Sequence, residues 1–180
     1  YTNHRKDQYG GSLENRMRFP VAVIRYVREL LGDTFPILVK MNLSDGMKEG
    51  LLIDDAIEVA RWFETAGATA LVPSGGFTSK TPFYMLRGNL PVREMVHNQH
   101  NLFRKTGLML FGRFMVREYP FEPMFLLEGA RQIKEAVKIP VAYLGGVMTA
   151  GDMAMLMEEG LGFIALGRAT IRAPDFPTKI

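Results

Sequence analysis

The chain has 180 residues, of which 47% are hydrophobic and 23% charged, the composition of a globular domain with a core of its own. The absence of cysteine excludes disulfides, thiol nucleophiles and iron–sulfur ligation from this segment and fits a reducing, cytoplasmic setting. No apolar run is long enough to cross a bilayer, and a net charge of +3 is too small and too local to indicate nucleic-acid binding.

The first predicted element is a helix near the start of the chain. Because the first residue is Tyr1 rather than methionine, we expect the chain to be part of a longer protein or to be processed. Ser12 is a suitable N-cap with Asn15 three positions later, and apolar residues follow at helical spacing up to Gly32. Pro20 falls inside this helix and is expected to bend it or to remove a hydrogen bond.

Strands and helices alternate after this first helix. Short apolar runs predict four strands, at residues 37–42, 69–73, 140–144 and 163–166. Helical patterns predict helices over residues 54–66, 126–137 and 149–160. Strands that are apolar throughout and are separated by single helices are typical of a parallel sheet covered by helices. The spacing fits either a doubly wound sheet or half of a (β/α)8 barrel.

The segment from about residue 77 to residue 125 is long and has no regular pattern. Between Arg87 and Arg117 it contains six basic residues and one acidic residue, Glu94, together with many aromatic and methionine side chains. We interpret it as an excursion from the βα pattern that either packs on the protein or covers the site as a lid. An oligomer contact is a further alternative, and contact with a membrane surface is disfavoured.

Two glycine-containing turns follow the third and fourth predicted strands. They are Gly145-Gly146 and Gly167-Arg168, one βα unit apart. In βα barrels the loops after the last two strands often bind phosphate, because backbone amides there face the anion. Glycine lets the backbone approach phosphate oxygens, and Arg168 adds a permanent charge. We interpret the four residues as a phosphate site for FMN or a sugar phosphate; the alternative is that the glycines only form tight turns.

Lys40 is the second informative position. It interrupts an apolar strand near its C-terminal end, where side chains of the catalytic face of a barrel emerge. Burying a lysine there is unfavourable unless it meets an anion. The spacing alone leaves two interpretations open: Lys40 faces a ligand, or it reaches the solvent or pairs with a carboxylate such as Asp45.

The opening segment resembles a known family signature. Residues 2–19, TNHRKDQYGGSLENRMRF, are similar to the motif TNxRxDxYGGSxxNRxRF of the old yellow enzyme family. Later landmarks of that family follow in order: a basic residue on the next strand, Ser74-Gly75-Gly76, and the two glycine turns. The resemblance covers nearly the whole chain except about 77–125. It implies that residues 1–180 are the C-terminal half of an FMN-binding (β/α)8 barrel, containing strands five to eight.

The resemblance also implies an activity and a set of cofactor contacts. It implies an FMN-dependent oxidoreductase that transfers hydride from NAD(P)H, through the flavin, to an activated alkene or a similar electrophile. Lys40 would stand where many members carry an arginine against the N1–C2 carbonyl edge of the flavin. Gly145, Gly146, Gly167 and Arg168 would form the FMN-phosphate loops.

The resemblance places the catalytic residues outside this segment. The family's His/His or His/Asn pair and proton-donating tyrosine would lie upstream, so no catalytic residue is assigned here. The expected partners are a small-molecule substrate and the N-terminal half of the same barrel, and a homo-oligomer is left open. No metal site is predicted: His4, His97 and His100 match no catalytic position of the family, and a site at His97 and His100 would lack a third ligand. A phosphosugar-binding barrel enzyme and a non-catalytic fragment without flavin remain the alternatives.

Overall fold

A computed structural model describes residues 1–115 and 117–178. The strands are β1 (Leu38–Ser44), β2 (Ala70–Gly75), β3 (Ala142–Leu144) and β4 (Phe163–Ala165). The helices are α1 (Leu13–Leu31), α2 (Ile53–Thr65), α3 (Val92–His97), α4 (Leu102–Met115), α5 (Leu127–Ala136), α6 (Ala150–Glu158) and α7 (Arg168–Arg172). A short 3₁₀ helix, Phe176–Thr178, follows them. These bounds confirm the predicted alternation of strands and helices outside the excursion.

The strands are parallel and follow one another in sequence order. β1 pairs with β2 and β3 pairs with β4, each in parallel. A parallel bridge between Leu71 and Val141 joins the two pairs, so the order is β1-β2-β3-β4. A doubly wound sheet reverses its strand order, whereas an order that follows the chain is that of a barrel segment.

The predicted helix ends are present in the structure. Ser12 Oγ accepts a hydrogen bond from the Asn15 amide at 3.2 Å, and Gly32 ends α1 with a φ of 74°. The helix continues through Pro20 without a break. At the start of α6, Thr149 and Asp152 form the capping box that the sequence indicated.

The core lies between the strands and their covering helices. On β1, Met41 and Leu43 are buried in this core, whereas the alternate residues Lys40 and Asn42 lie on the opposite face. The largest fully buried side chains come from the strands, from the residue before β3, from α5 and α6, and from the loop before β4: Leu71, Pro73, Tyr143, Val141, Ile133, Leu156 and Leu161. Burying each large aliphatic side chain contributes about 2 kcal/mol.

The excursion is more regular than the sequence indicated. The expectation of an irregular stretch is wrong for residues 92–97 and 102–115, which form α3 and α4 packed together. The sequence did not predict α4 because its apolar residues lie all around the helix and do not form one stripe. Some of them are exposed, and Phe103 is 91% exposed. Within the described parts of the chain, no helix combines the length and hydropathy needed to cross a membrane.

Candidate functional site

The two glycine turns line one cavity at the C-terminal ends of β3 and β4. The cavity has a volume of about 750 Å³, and its wall includes Gly145, Gly146, Gly167, Arg168, Met85 and Leu86. Arg172 also borders it, and no acidic residue belongs to its described lining. The four residues that the sequence assigned to a phosphate site therefore lie around one cavity in the fold. A cavity with two arginines and no carboxylate has the charge that a phosphate group requires.

The cavity wall at the first turn is fixed by the protein itself. Gly145 and Gly146 have φ values of 120° and 70°, which favour glycine. A Cβ on Gly146 would lie 2.7 Å from the Met124 nitrogen and 3.0 Å from the Glu122 carbonyl oxygen. Tight packing of the chain thus accounts for glycine at this position. Gly167 differs, because nothing lies within 4 Å of the position a Cβ would take there.

Arg168 has a structural contact that the sequence did not reveal. Its guanidinium donates to the carbonyl oxygens of Leu86 at 2.5 Å and Met85 at 3.0 Å. These two bonds use part of the five N–H donors of an arginine, and the side chain stays exposed. Arg168 therefore links the second glycine turn to the start of the excursion and retains donors for an anion.

Lys40 lines a second cavity, of about 410 Å³. The other lining residues come from β1, the end of β2 and the loop after it, and they include Asn42, Ser74, Gly75, Gly76 and Thr81. Met85 borders both cavities, so the two spaces are neighbours. Lys40 and the glycine turns consequently line separate but adjoining cavities.

The amino group of Lys40 has no hydrogen bond or ion pair with any residue in the described ranges. Asp45, the alternative partner considered for it, is engaged elsewhere. Its carboxylate accepts from the Asn42 side-chain amide at 2.8 Å and from the Leu51 backbone amide at 2.9 Å. Lys40 is exposed in this structure, and its charge is available to a ligand.

Asn42 and Thr81 are site residues that sequence reasoning missed. The Asn42 side chain also donates to the Gly76 carbonyl oxygen at 2.8 Å, which joins β1 to the loop after β2. Thr81 is buried; its hydroxyl donates to the Asp45 carbonyl oxygen at 2.8 Å and accepts from the Phe77 amide at 2.6 Å. The two-residue alternation from Lys40 could have indicated Asn42, whereas no local signal marked Thr81.

Tyr143 is a buried titratable group near the glycine turns. Burial raises the pKa of its hydroxyl to about 12, so the side chain is protonated at neutral pH. The Tyr143 oxygen accepts a hydrogen bond from the Leu126 amide at 3.2 Å. This geometry supports a structural role at the start of α5. The three histidines, which the sequence analysis assigned to no site, are all exposed: His4, His97 and His100.

The chain is similar to flavin oxidoreductases in sequence. Residues 1–76 match the model of the NADH:flavin oxidoreductase / NADH oxidase family. The 4,4'-dithiodibutanoate disulfide reductase of Rhodococcus erythropolis is 35% identical over 178 residues, which cover 98% of this chain and 44% of that protein. The chain therefore spans less than half the length of this relative.

Solved structures show the same fold. A 2-naphthoyl-CoA reductase complex aligns with 99% of this chain and 23% of its own, at a TM-score of 0.74 and 23% identity. An old yellow enzyme homologue from Zymomonas mobilis aligns with 99% of this chain and 40% of its own, at a TM-score of 0.59 and 20% identity. The α/β fold of the chain is thus similar to part of an old-yellow-enzyme barrel.

Proposed function

We propose that this chain is the C-terminal half of an FMN-dependent barrel enzyme, because residues 1–76 match the model of the NADH:flavin oxidoreductase / NADH oxidase family, which implies FMN as cofactor and NAD(P)H as reductant. When bound, FMN would supply hydride transfer from NAD(P)H to an activated alkene or a similar electrophile. The residues of this chain bind and orient the cofactor in this proposal. The proton donor belongs to the upstream half.

One observation carries the proposal: the four predicted phosphate residues line a single cavity of suitable charge. Gly145, Gly146, Gly167 and Arg168 meet there, and the described lining contains no carboxylate. These residues would hold the phosphate through backbone amides and the free donors of the guanidinium. Lys40 lines the adjoining cavity, which shares Met85 with this one, and this neighbourhood supports its assignment to the same ligand.

Lys40 is assigned to the ring end of the flavin. Its amino group has no partner among the described residues, so its full charge is available at the N1–C2 carbonyl edge. A cation there stabilises the negative charge that gathers on that edge during reduction. Lysine keeps the charge of the arginine found in many members but lacks its planar fork.

The exposed surfaces of the chain support a missing barrel half. The outer strands β1 and β4 leave Leu38 and Phe163 at 60% and 55% exposure, which is unusual for large apolar strand residues. Along α1, four exposed apolar residues recur at intervals of three and four: Phe19, Val23, Tyr26 and Leu30. We assign these surfaces to contact with the N-terminal half, which would close the barrel.

The direct test is flavin binding by the complete protein. Purified protein should show flavin absorbance near ~450 nm and should bind FMN more tightly than riboflavin, which lacks the phosphate. Flavin reduction by NADH and NADPH is then followed with an alkene conjugated to a carbonyl and, given the Rhodococcus relative, a disulfide as acceptors. A protein that binds no flavin would support the non-catalytic alternative. The phosphosugar alternative would leave the family match of residues 1–76 unexplained.

A further inference from the structure

The base of the excursion forms a clasp, made of residues 84–88 and 119–125. The Gly88 amide donates to the Tyr119 carbonyl oxygen at 2.7 Å, and an antiparallel bridge joins these residues. The rings of Tyr84 and Tyr119 meet edge to face with centroids 5.3 Å apart. The clasp therefore joins the segment before α3 to the segment after α4.

Arg87 lies inside this clasp, with only 12% of its side chain exposed. Its guanidinium carbon lies 4.2 Å from the ring centroid of Phe125 and 5.5 Å from that of Tyr84. One terminal nitrogen is 3.6 Å from the Glu122 carboxylate, and the buried Nε has no hydrogen-bond partner among the described residues. A planar cation stacked on a ring and shielded from water holds that ring firmly in place.

The ring that Arg87 holds forms a wall of the first glycine turn. Atoms of Phe125 lie 3.1 Å from the positions that a Cβ would take on Gly145 and on Gly146. The neighbouring Met124 amide donates to the Gly146 carbonyl oxygen at 3.3 Å. Any displacement of Phe125 would therefore change the space in which this turn sits.

Backbone strain occurs at Arg87 and at Met124, the residue immediately before Phe125. Among the residues that the structure describes, those other than glycine with positive φ are Arg87, at 40°, and Met124, at 50°. A residue with a side chain in this region is strained by about 1 kcal/mol or more, and such strain persists only where surrounding contacts enforce it. Strained positions of this kind occur often at ligand clamps.

The second glycine turn reaches the same segment from the other side. Arg168 donates to the carbonyl oxygens of Met85 and Leu86, the two residues immediately before Arg87. Residues 85–87 therefore connect the two turns that line the larger cavity. We propose that Arg87 is a positioning residue for the phosphate end of the flavin site, and this inference rests on the proposed function. It acts through Phe125 on the Gly145-Gly146 turn without lining the cavity itself.

The test compares FMN with riboflavin in the complete protein. Arg87→Met should weaken FMN binding by about ten-fold and leave riboflavin binding unchanged, because riboflavin has no phosphate to place in the turn. Arg93→Met is the matched control, since Arg93 is exposed on α3 and lies outside the clasp. Both affinities are measured by quenching of flavin fluorescence. Equal loss of both ligands, or no loss of either, would overturn the proposal.

Two further variants and one measurement separate positioning from general stability. Arg87→Lys keeps the charge but not the planar stack, so it should show the same selective loss of FMN affinity. Phe125→Leu should do likewise, and it provides the test if Arg87→Met does not fold. In flavin-free protein, amide exchange at residues 122–126 and 145–147 should be faster in Arg87→Met than in Arg93→Met; equal rates would contradict the proposal.

Failure of the proposed function would look different. Wild-type protein that binds FMN and riboflavin equally would remove the phosphate site and this inference with it. Wild-type protein that prefers FMN, together with an unchanged preference in Arg87→Met, would overturn the role of Arg87 alone.

Discussion

The two cations that the sequence predicted for the site, Lys40 and Arg168, are held in opposite ways. Arg168 already donates to two backbone carbonyls and so supports the clasp. Lys40 has no partner in the described ranges, and the polar contacts of its cavity are made by its neighbours Asn42, Asp45 and Thr81. The comparison indicates that Arg168 is part of the framework as well as a candidate phosphate ligand, whereas Lys40 is free for chemistry. Substitutions should separate these two functions.

The largest effect is expected from Arg168→Ala. It removes a charge from the proposed phosphate cavity and two hydrogen bonds from the clasp, so FMN affinity should fall by about a hundred-fold and the melting temperature should fall as well. Fluorescence quenching and thermal denaturation of the complete protein measure both. Arg104→Ala, on the exposed surface of α4, is the control. An unchanged melting temperature would show that Arg168 is as free as Lys40, and the comparison would not hold.

Thr81→Val tests the framework of the Lys40 cavity. The substitution keeps the size of the side chain but leaves the Phe77 amide and the Asp45 carbonyl oxygen without a partner. We expect a loss of about 2 kcal/mol in the free energy of unfolding, measured by chemical denaturation. Thr78→Val is the matched control, because Thr78 borders the same cavity and is exposed. Equal stability of the two variants would contradict the role given to Thr81.

Lys40→Met should change chemistry without changing stability. Removing an unpaired charge should lower the midpoint potential of the bound flavin and slow its reduction by NAD(P)H by about ten-fold. FMN affinity and melting temperature should stay near wild type, and Lys40→Arg should keep most of the rate. Stopped-flow reduction and a redox titration measure these quantities, with Lys48→Met as an exposed control. An unaltered rate and potential would make Lys40 a surface lysine.

The smallest effect concerns the loss of folding stability at acid pH. Arg131 donates to the Glu159 carboxylate at 2.9 Å and 2.5 Å, which ties α5 to the end of α6 and lowers the pKa of Glu159 below its ordinary value of 4.5. A lowered pKa in the folded state gives stability that is present above pH 4.5 and is lost as the pH falls towards the folded-state pKa.

The difference in melting temperature between wild type and Glu159→Gln should therefore shrink as the pH falls from 6 to 3. Glu49→Gln, at an exposed loop position, should show no such trend. A constant difference for Glu159→Gln across this range would show that its charge does not contribute through Arg131.

The sequence alone predicted the four strands, their parallel arrangement and the residues of the glycine turns. These features depend on local patterns: runs of apolar residues, caps such as Ser12 and Thr149, and glycines at strand ends. The family signature predicted the position of Lys40 relative to the flavin. The spacing of residues could not decide whether Lys40 pairs with a carboxylate of the protein or faces a bound ligand, because either group could lie beside the end of the same strand.

Only the tertiary structure decided which groups these residues meet. Arg168 lies 82 and 83 positions from the carbonyls it binds, and Arg87 reaches Phe125 across the whole α3–α4 pair. No local period encodes such contacts, because they depend on how the chain folds back between the two segments. The sequence also failed to predict the helices of the excursion. The sequence of α4 has apolar residues all around the helix and does not indicate which face packs. Local propensity determined the elements of this protein, and packing between distant segments determined its site.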